Sequence, residues 1–318
     1  MMLFSKFPTP FDMVLLLSPV QWLTSHVVFS LSPIFRFSRL QFSLPITPER
    51  IGELIKTYKP SYTVMSPSLI TQVFNLKKCD LSCFDAILIG GNAVPSTIMN
   101  NIQQAIPNTR VRDVYGLTEI SGLAFNYTNS VPGSVGVAVN YLQYRLVDQE
   151  TQEDINEPNK PGELWLKGPS VFMGYYNNPE MTTDAKTHDG WLKTGDIFYR
   201  DENGNFFFVE RLKLMMKYMN HQISPVEIEE VIMKHPGVLT VAVTKIPDER
   251  GDLPVACVVR KEGCDVTAQE IKDLVKDTLT DMKQLRGGVI FMKELPLTST
   301  MKLNRNVLAS MVLDMNSE

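Results

Sequence analysis

The first 51 residues of this 318-residue chain contain no glycine; the first is Gly52. A glycine-rich loop that cradles phosphates with its backbone N–H groups therefore cannot be built there. Cysteine is scarce too. Cys79, Cys83, Cys257 and Cys264 form no CxxC pair, and His26, His188, His221 and His235 are scattered. That spacing argues against a zinc site and for reduced, cytosolic-type thiols. Cys257, inside the apolar run Val255–Val259, is expected to fill core. No run of Lys or Arg makes a basic stripe, and 31 basic against 35 acidic residues leave a net charge of −4. Nucleic acid is not an expected partner. Nor is there an apolar stretch long enough for a transmembrane span. Met13–Val20 is apolar and follows Lys6, as a signal-peptide core does. Asp12 borders it, however, Pro19 interrupts it, and no clear small-residue cleavage site follows. We read it as a buried strand near a truncation point.

What is present fits a globular chain. Hydrophobic residues make up 44% and charged residues 21%, and the length leaves room for one large domain and one small one. Ile51–Tyr58 reads as a helix with Ile51, Leu54 and Ile55 on one face. Tyr62–Met65 reads as a strand, Ser66-Pro67-Ser68 as a helix start, and Ala86–Ile89 as a strand running into Gly90-Gly91. A helix over Ser96–Ala105 and a strand over Arg110–Val114 continue the alternation of a layered α/β body. From Gly133 to Phe208 the pattern changes to short strands (Gln143–Val147, Glu163–Lys167, Asn205–Val209), with a polar loop over Gln149–Pro161. A boundary is expected near Glu210. Beyond it, Ser224-Pro225-Val226-Glu227 predicts a helix opened by a capping box, with Ile228, Val231 and Ile232 as its apolar stripe and His235-Pro236-Gly237 as its stop. Thr267 and Glu270 predict a second capping box, on a helix with Ile271, Leu274, Val275, Thr278 and Leu279 on one face. Strands over Leu239–Thr244, Val255–Val259 and Val289–Lys293 complete a small α/β unit.

Five segments stand in a telling order: VYGLTE (Val114–Glu119), GELWLKGPSVFMGYYNNPEMT (Gly162–Thr182), DGWLKTGD (Asp189–Asp196), ERLKLMMKYMNHQISPVEIE (Glu210–Glu229) and PLTSTMKLNRNVL (Pro296–Leu308). On them, the chain resembles the adenylate-forming superfamily of acyl-CoA synthetases, 4-coumarate–CoA ligases and beetle luciferases. The resemblance implies a fold in two parts: residues 1–209 as part of a large layered α/β adenylation domain with a β-rich subdomain, and 210–318 as a small α/β lid domain. It implies an acid–thiol ligase that takes a carboxylic acid, ATP and CoA, with Mg²⁺, through an acyl-AMP to acyl-CoA, AMP and pyrophosphate. Two anions meet in that chemistry, so cations and oriented donors must surround the phosphates.

The roles carry over residue by residue. Tyr115 matches the ring that stacks on adenine, Gly116 the residue that lets the backbone approach the nucleotide, and Thr118 a donor to phosphate oxygens. Glu119 matches the carboxylate that holds Mg²⁺, a hard cation. Asp196 matches the acceptor of both ribose hydroxyls, and Arg211 the arginine that also reaches the ribose. Gly90-Gly91-Asn92 resembles the turn lining the adenine and acyl pockets. Lys302 matches the lid lysine that bridges carboxylate and α-phosphate. Lys217 and Gln222 match residues that face the reactive group when the lid turns to admit CoA.

The chain departs from the family pattern in five places. The upstream Ser/Thr/Gly-rich phosphate loop has no counterpart. Met219-Asn220 stands for Lys-Gly, Met301-Lys302 for Gly-Lys, and Glu210 for the hinge Asp. A bulky side chain at a glycine's positive φ costs about 1–2 kcal/mol, which Asn220 tolerates better than Met301. The stretch Pro19–Phe42 has no glycine where the family places small residues around the acyl pocket, so the acid preferred is not legible. Impaired adenylation is the expectation. Two rival readings stand beside it: a non-catalytic nucleotide- or acyl-adenylate-binding remnant, and a luciferase-like monooxygenase that shares the adenylation chemistry. An intracellular, cytoplasmic location is the default. The chain ends Asn316-Ser317-Glu318, so a peroxisomal home would need another signal.

Overall fold

Five short segments pair side by side in one direction. They are β1 (Met13–Leu15), β2 (Ser38–Leu40), β3 (Tyr62–Met65), β4 (Ala86–Gly90) and β5 (Arg110–Val114), and they form a parallel sheet in the order β2-β1-β3-β4-β5. The computed structural model of the chain describes residues 12–316 except 21, 42–46, 77–78, 92–93, 95, 128–130, 220 and 299–302. Parallel neighbours need crossovers, and helices supply them: α1 (Leu23–Phe35), α2 (Pro48–Tyr58), α3 (Pro67–Phe74) and α4 (Ser96–Ala105). The apolar run at Met13 is a strand, as its composition suggests, and Leu16 and Leu17 beyond it stay buried. Helix α2 begins a turn earlier than its stripe indicates. Thr47 accepts from the Arg50 N–H at 3.2 Å and Pro48 takes the first helical position. The core between sheet and helices is branched aliphatic: Ile51, Ile55, Ile70, Val73, Ile87, Ile89 and Ile102.

The β-rich part follows. A two-stranded hairpin, β6 (Gly116–Leu117) with β7 (Gly122–Leu123), precedes a six-stranded sheet. Its strands are β8 (Phe125–Asn126), β9 (Gly136–Ala138), β10 (Gln143–Val147), β11 (Gly162–Lys167), β12 (Leu192–Arg200) and β13 (Asn205–Arg211), in the order β10-β11-β12-β13-β9-β8. The short helix α5 (Pro179–Ala185) lies between β11 and β12 in sequence. Rings fill this core: Phe125 stacks on Phe206 with centroids 4.7 Å apart and meets Phe198 at 5.6 Å. Cα packing divides the chain into two compact units, Met1–Phe208 and Val209–Glu318.

The second unit has a sheet of β14 (Met216–Tyr218), β15 (His221–Ile223), β16 (Val238–Asp248), β17 (Gly251–Arg260) and β18 (Gly288–Phe291). The order is β15-β14-β17-β16, with β18 parallel to β17. Helices α6 (Pro225–Ile232), α7 (Ala268–Thr278) and α8 (Arg305–Asn316) complete it. The capping box expected on α7 forms in full, with Thr267 and Glu270 bonding reciprocally. Thr278, expected on the apolar face of α7, is exposed. The box expected on α6 does not form. Ser224 makes no side-chain cap, and Glu227 instead pairs with Lys283 at 2.6 Å. The α6 N-terminus is served by Glu210, whose Oε2 accepts from the Val226 N–H at 3.3 Å. A carboxylate from outside the helix outcompetes the local serine, because a charged acceptor bonds an orphan N–H more strongly. Cys257 fills core against Ala242, Val255, Leu308 and Val312, and burial pushes its thiol up to about 11. Among the described residues, no helix is long and apolar enough to cross a membrane.

Candidate functional site

Asp196 sits on an irregularity that the β-strand period alone does not create. Strands β11 and β12 pair Glu163 with Ile197, and next Trp165 with Lys193. Leu164 alone therefore faces Thr194, Gly195 and Asp196. Such a bulge bends its strand and re-aims a side chain. Broken ladder bonds must be replaced, and side chains replace them. The Thr194 hydroxyl donates to the Leu164 carbonyl at 2.7 Å and accepts from the Asp196 N–H at 3.1 Å. The Gly195 N–H donates to Glu163 Oε1 at 2.9 Å. Gly195 has φ +68, a conformation that a side chain there would strain. Asp196 itself is 1% exposed.

Tyr115 comes from the end of β5, 81 residues away in sequence, and its hydroxyl donates to Asp196 Oδ2 at 2.6 Å. This short bond to a carboxylate is charge-assisted. The Tyr115 ring is held edge-on by Phe198 at 4.8 Å. Gly116 then turns into the β6–β7 hairpin, where a Cβ would lie 2.4 Å from the Gly122 carbonyl. Close approach of that strand is thus a reason for glycine independent of any ligand. Thr118, exposed, opens a single 3₁₀ turn to Ile120 that carries Glu119.

Glu119 has a partner that motif reading missed. The Tyr175 hydroxyl donates to Glu119 Oε1 at 2.8 Å, while the Phe172 N–H donates to the Glu119 carbonyl at 2.7 Å. Burial and the Glu119 carboxylate push the Tyr175 phenol up to about 12, so it stays a donor at neutral pH. A single half-buried carboxylate beside an exposed threonine hydroxyl is an oxygen donor set of the kind that suits Mg²⁺, which usually takes one or two carboxylates plus substrate phosphates and water. Gly90 closes β4 opposite Val114, and Gly91 follows it.

In the second unit, Lys217 and Gln222 are direct cross-strand partners in the β14–β15 pair and both are exposed. Directly opposed residues share a face, so the pair presents an ammonium and an amide side by side. Arg211, exposed at the end of β13, donates its backbone N–H to Glu210 Oε1 at 2.7 Å. Burial raises the Glu210 carboxyl, opposed by the backbone N–H groups of Arg211 and Val226 and by Arg305. Lys302, with Asn92, Asn220 and Met301, lies outside the described residues. Met219, which follows β14 directly, has a positive φ of 47°.

Comparison with known proteins agrees with this architecture. The family model for AMP-binding enzymes matches residues 3–176, and that for the AMP-binding enzyme C-terminal domain matches residues 227–302. The chain is 37% identical over 263 residues to a luciferin 4-monooxygenase of Photuris pensylvanica, covering 81% of this chain and 48% of that protein. It is 34% identical over 277 residues to 4-coumarate–CoA ligase-like 9 of Arabidopsis thaliana, covering 85% and 49%. The chain thus spans about half the length of the curated relatives it matches. Among solved structures, ATP-bound MatB from Rhodopseudomonas palustris superposes with a TM-score of 0.87 at 25% identity, over 96% of this chain and 61% of that one. The chain belongs to the AMP-binding enzyme family, within the adenylate-forming superfamily.

Proposed function

We propose that the protein is an acid–thiol ligase, joining a carboxylic acid to CoA through an acyl-AMP at the expense of ATP. The observation that carries the nucleotide part is the 2.6 Å bond between the Tyr115 hydroxyl and the buried Asp196 carboxylate. It joins two segments that share no local reason to meet. In this reading the Tyr115 ring bears on adenine, Asp196 accepts the ribose hydroxyls and Arg211 adds a donor to the ribose. Gly90, Gly91 and Gly116 leave backbone at the nucleotide. Glu119, with Thr118, would hold Mg²⁺, which neutralises phosphate charge when bound. Lys302 supplies a point charge to the carboxylate and α-phosphate. Lys217 and Gln222 serve thioester formation, and their pairing on one exposed face supports a shared role. Relatives that are CoA ligases by name, and the ATP carried by a solved neighbour, support the reading.

The 318 residues contain no glycine before Gly52 and so no upstream phosphate loop of the family kind. Losing one preorganised donor typically costs about 10²–10³ in rate. We therefore expect the chain assayed alone to release negligible pyrophosphate from ATP and a carboxylic acid. It should still convert supplied acyl-AMP and CoA to acyl-CoA, a step that involves no pyrophosphate. Robust ATP-dependent acyl-CoA formation would sink the impairment argument, and failure of both assays would favour a nucleotide-binding remnant. AMP should bind weakly and saturably, and Asp196→Ala should abolish that binding in a calorimetric titration. Equal binding by both forms would remove the ribose assignment.

A further inference from the structure

We infer that Glu163 is a positioning residue for Asp196, holding the ribose carboxylate in place through the backbone of Gly195. The inference rests on Asp196 being the ribose acceptor.

Its basis is an accounting of hydrogen bonds around the bulge. Where three residues face one, the ladder cannot supply partners for every N–H and C=O, and each orphan buried away from water costs free energy. Two of the groups at this bulge are served by Thr194, itself a bulge residue. Another, the N–H of Gly195, is served from the opposite strand by Glu163. Glu163 is 6% exposed, an unusual place for a carboxylate without a task. Its other oxygen is fully employed: Oε2 accepts from Trp165 Nε1 at 2.8 Å and from Gln149 Nε2 at 3.0 Å. These two donors fix the carboxylate plane, and the plane fixes where Gly195 must lie. Gly195 is covalently next to Asp196, so the position of the Asp196 Cα follows.

The chemistry asks for the anion. A carboxylate offers acceptors on both oxygens, and this one faces donors on both sides. Alanine leaves the Gly195 N–H and the Trp165 N–H without it. Glutamine has one acceptor and one donor end. If its carbonyl serves Gly195, its NH₂ meets the indole N–H, donor against donor. Gln149 can flip its amide to accept, but Trp165 cannot, because an indole only donates. Removing the indole N–H as well should therefore relieve the conflict.

A positioning role predicts a selective loss, which a general structural role does not. Calorimetric titration of the full chain with AMP and with 2′,3′-dideoxy-AMP reads it. The wild type should prefer AMP by about a hundredfold, two charge-assisted hydrogen bonds at about tenfold each, because the dideoxy nucleotide lacks both hydroxyls. In Glu163→Ala the AMP affinity should fall by most of that factor while that for the dideoxy nucleotide stays put, so the preference collapses toward unity. Glu163→Gln should lose most of the preference, Trp165→Phe should keep it, and Glu163→Gln/Trp165→Phe should regain it. If Glu163→Ala does not fold, the single and double glutamine variants decide. Retention of the preference in Glu163→Ala, equal weakening of both nucleotides, or no recovery in the double variant each overturns the inference. A wild type that does not discriminate between the nucleotides would instead overturn the ribose assignment of Asp196, a distinct failure.

Discussion

Replacing Asp113 by asparagine should stabilise the first unit at neutral and alkaline pH and leave it unchanged in acid. Asp113 stands in β5 two residues before Tyr115, and burial pushes its carboxyl from 3.8 up to about 7, against the pull of the Val114 N–H. The unfolded chain releases this proton near the ordinary value and the folded chain only near 7, so folding takes up a proton across that window. Stability from this group is therefore highest at the acid end, falls as pH rises through the window, and is fully lost above about 7. The displacement corresponds to about 4 kcal/mol at most. Structural relaxation and water around an ionised group lower such penalties, and we expect about 2 kcal/mol. Asparagine keeps the size of the side chain and an acceptor for Val114, but it cannot ionise. Asp113→Asn should match the wild type near the acid end and exceed it by about 2 kcal/mol at about pH 8. Urea unfolding followed by tryptophan fluorescence is a clean assay, because Trp22, Trp165 and Trp191 all precede Phe208 and report that unit alone. A difference between variant and wild type that is the same at both pH values would refute the reasoning, since only titration of Asp113 makes it vary.

Three further outcomes are expected. Met219 is exposed and left-handed, so Met219→Asn should raise the stability of the second unit by about 0.5–1 kcal/mol in chemical denaturation, and a loss would show that Met219 makes packing we have not credited. Thr267→Ala should cost about 1 kcal/mol, whereas Ser224→Ala, at a cap whose hydroxyl makes no bond, should change stability by less than about 0.5 kcal/mol; equal costs would contradict the observed capping. Lys217→Ala and Gln222→Ala should leave unfolding midpoints in place while slowing acyl transfer from supplied acyl-AMP to CoA, and a lowered midpoint with normal transfer would assign them to structure.

Much of the fold was legible because local chemistry announces it. Thr267 and Glu270 are three residues apart and answer each other, so their capping box needed no tertiary information. Strands such as Tyr62–Met65 and Ala86–Ile89 are apolar runs ended by turn or cap residues, and they form where the runs stand. The early start of α2 was present in Thr47-Pro48-Glu49 but lay a turn ahead of the apolar stripe that drew the eye. Where the sequence misled, a distant group had won a local competition. Ser224 and Glu227 have capping-box spacing, yet Lys283 claims Glu227 from 56 residues away and Glu210 claims the helix N-terminus.

The candidate site divides the same way. Tyr115, Glu119 and Asp196 could be nominated from the sequence because each lies in a run of residues whose neighbours match a family pattern. Their arrangement could not. A two-residue excess in β12 is invisible to a period-two reading, since only pairing with β11 shows that Leu164 faces three residues. Glu163 looks like one more residue of a strand until Gly195, 32 positions on, donates to it. Tyr175 looks like part of a loop until Glu119 accepts from it across 56 positions. The sequence alone determined which residue types were available and which elements they would form, because helix caps, turns and apolar periods act over a few residues. The tertiary structure alone decided which carboxylate meets which donor, because hydrogen bonds are made at about 3 Å whatever the separation along the chain.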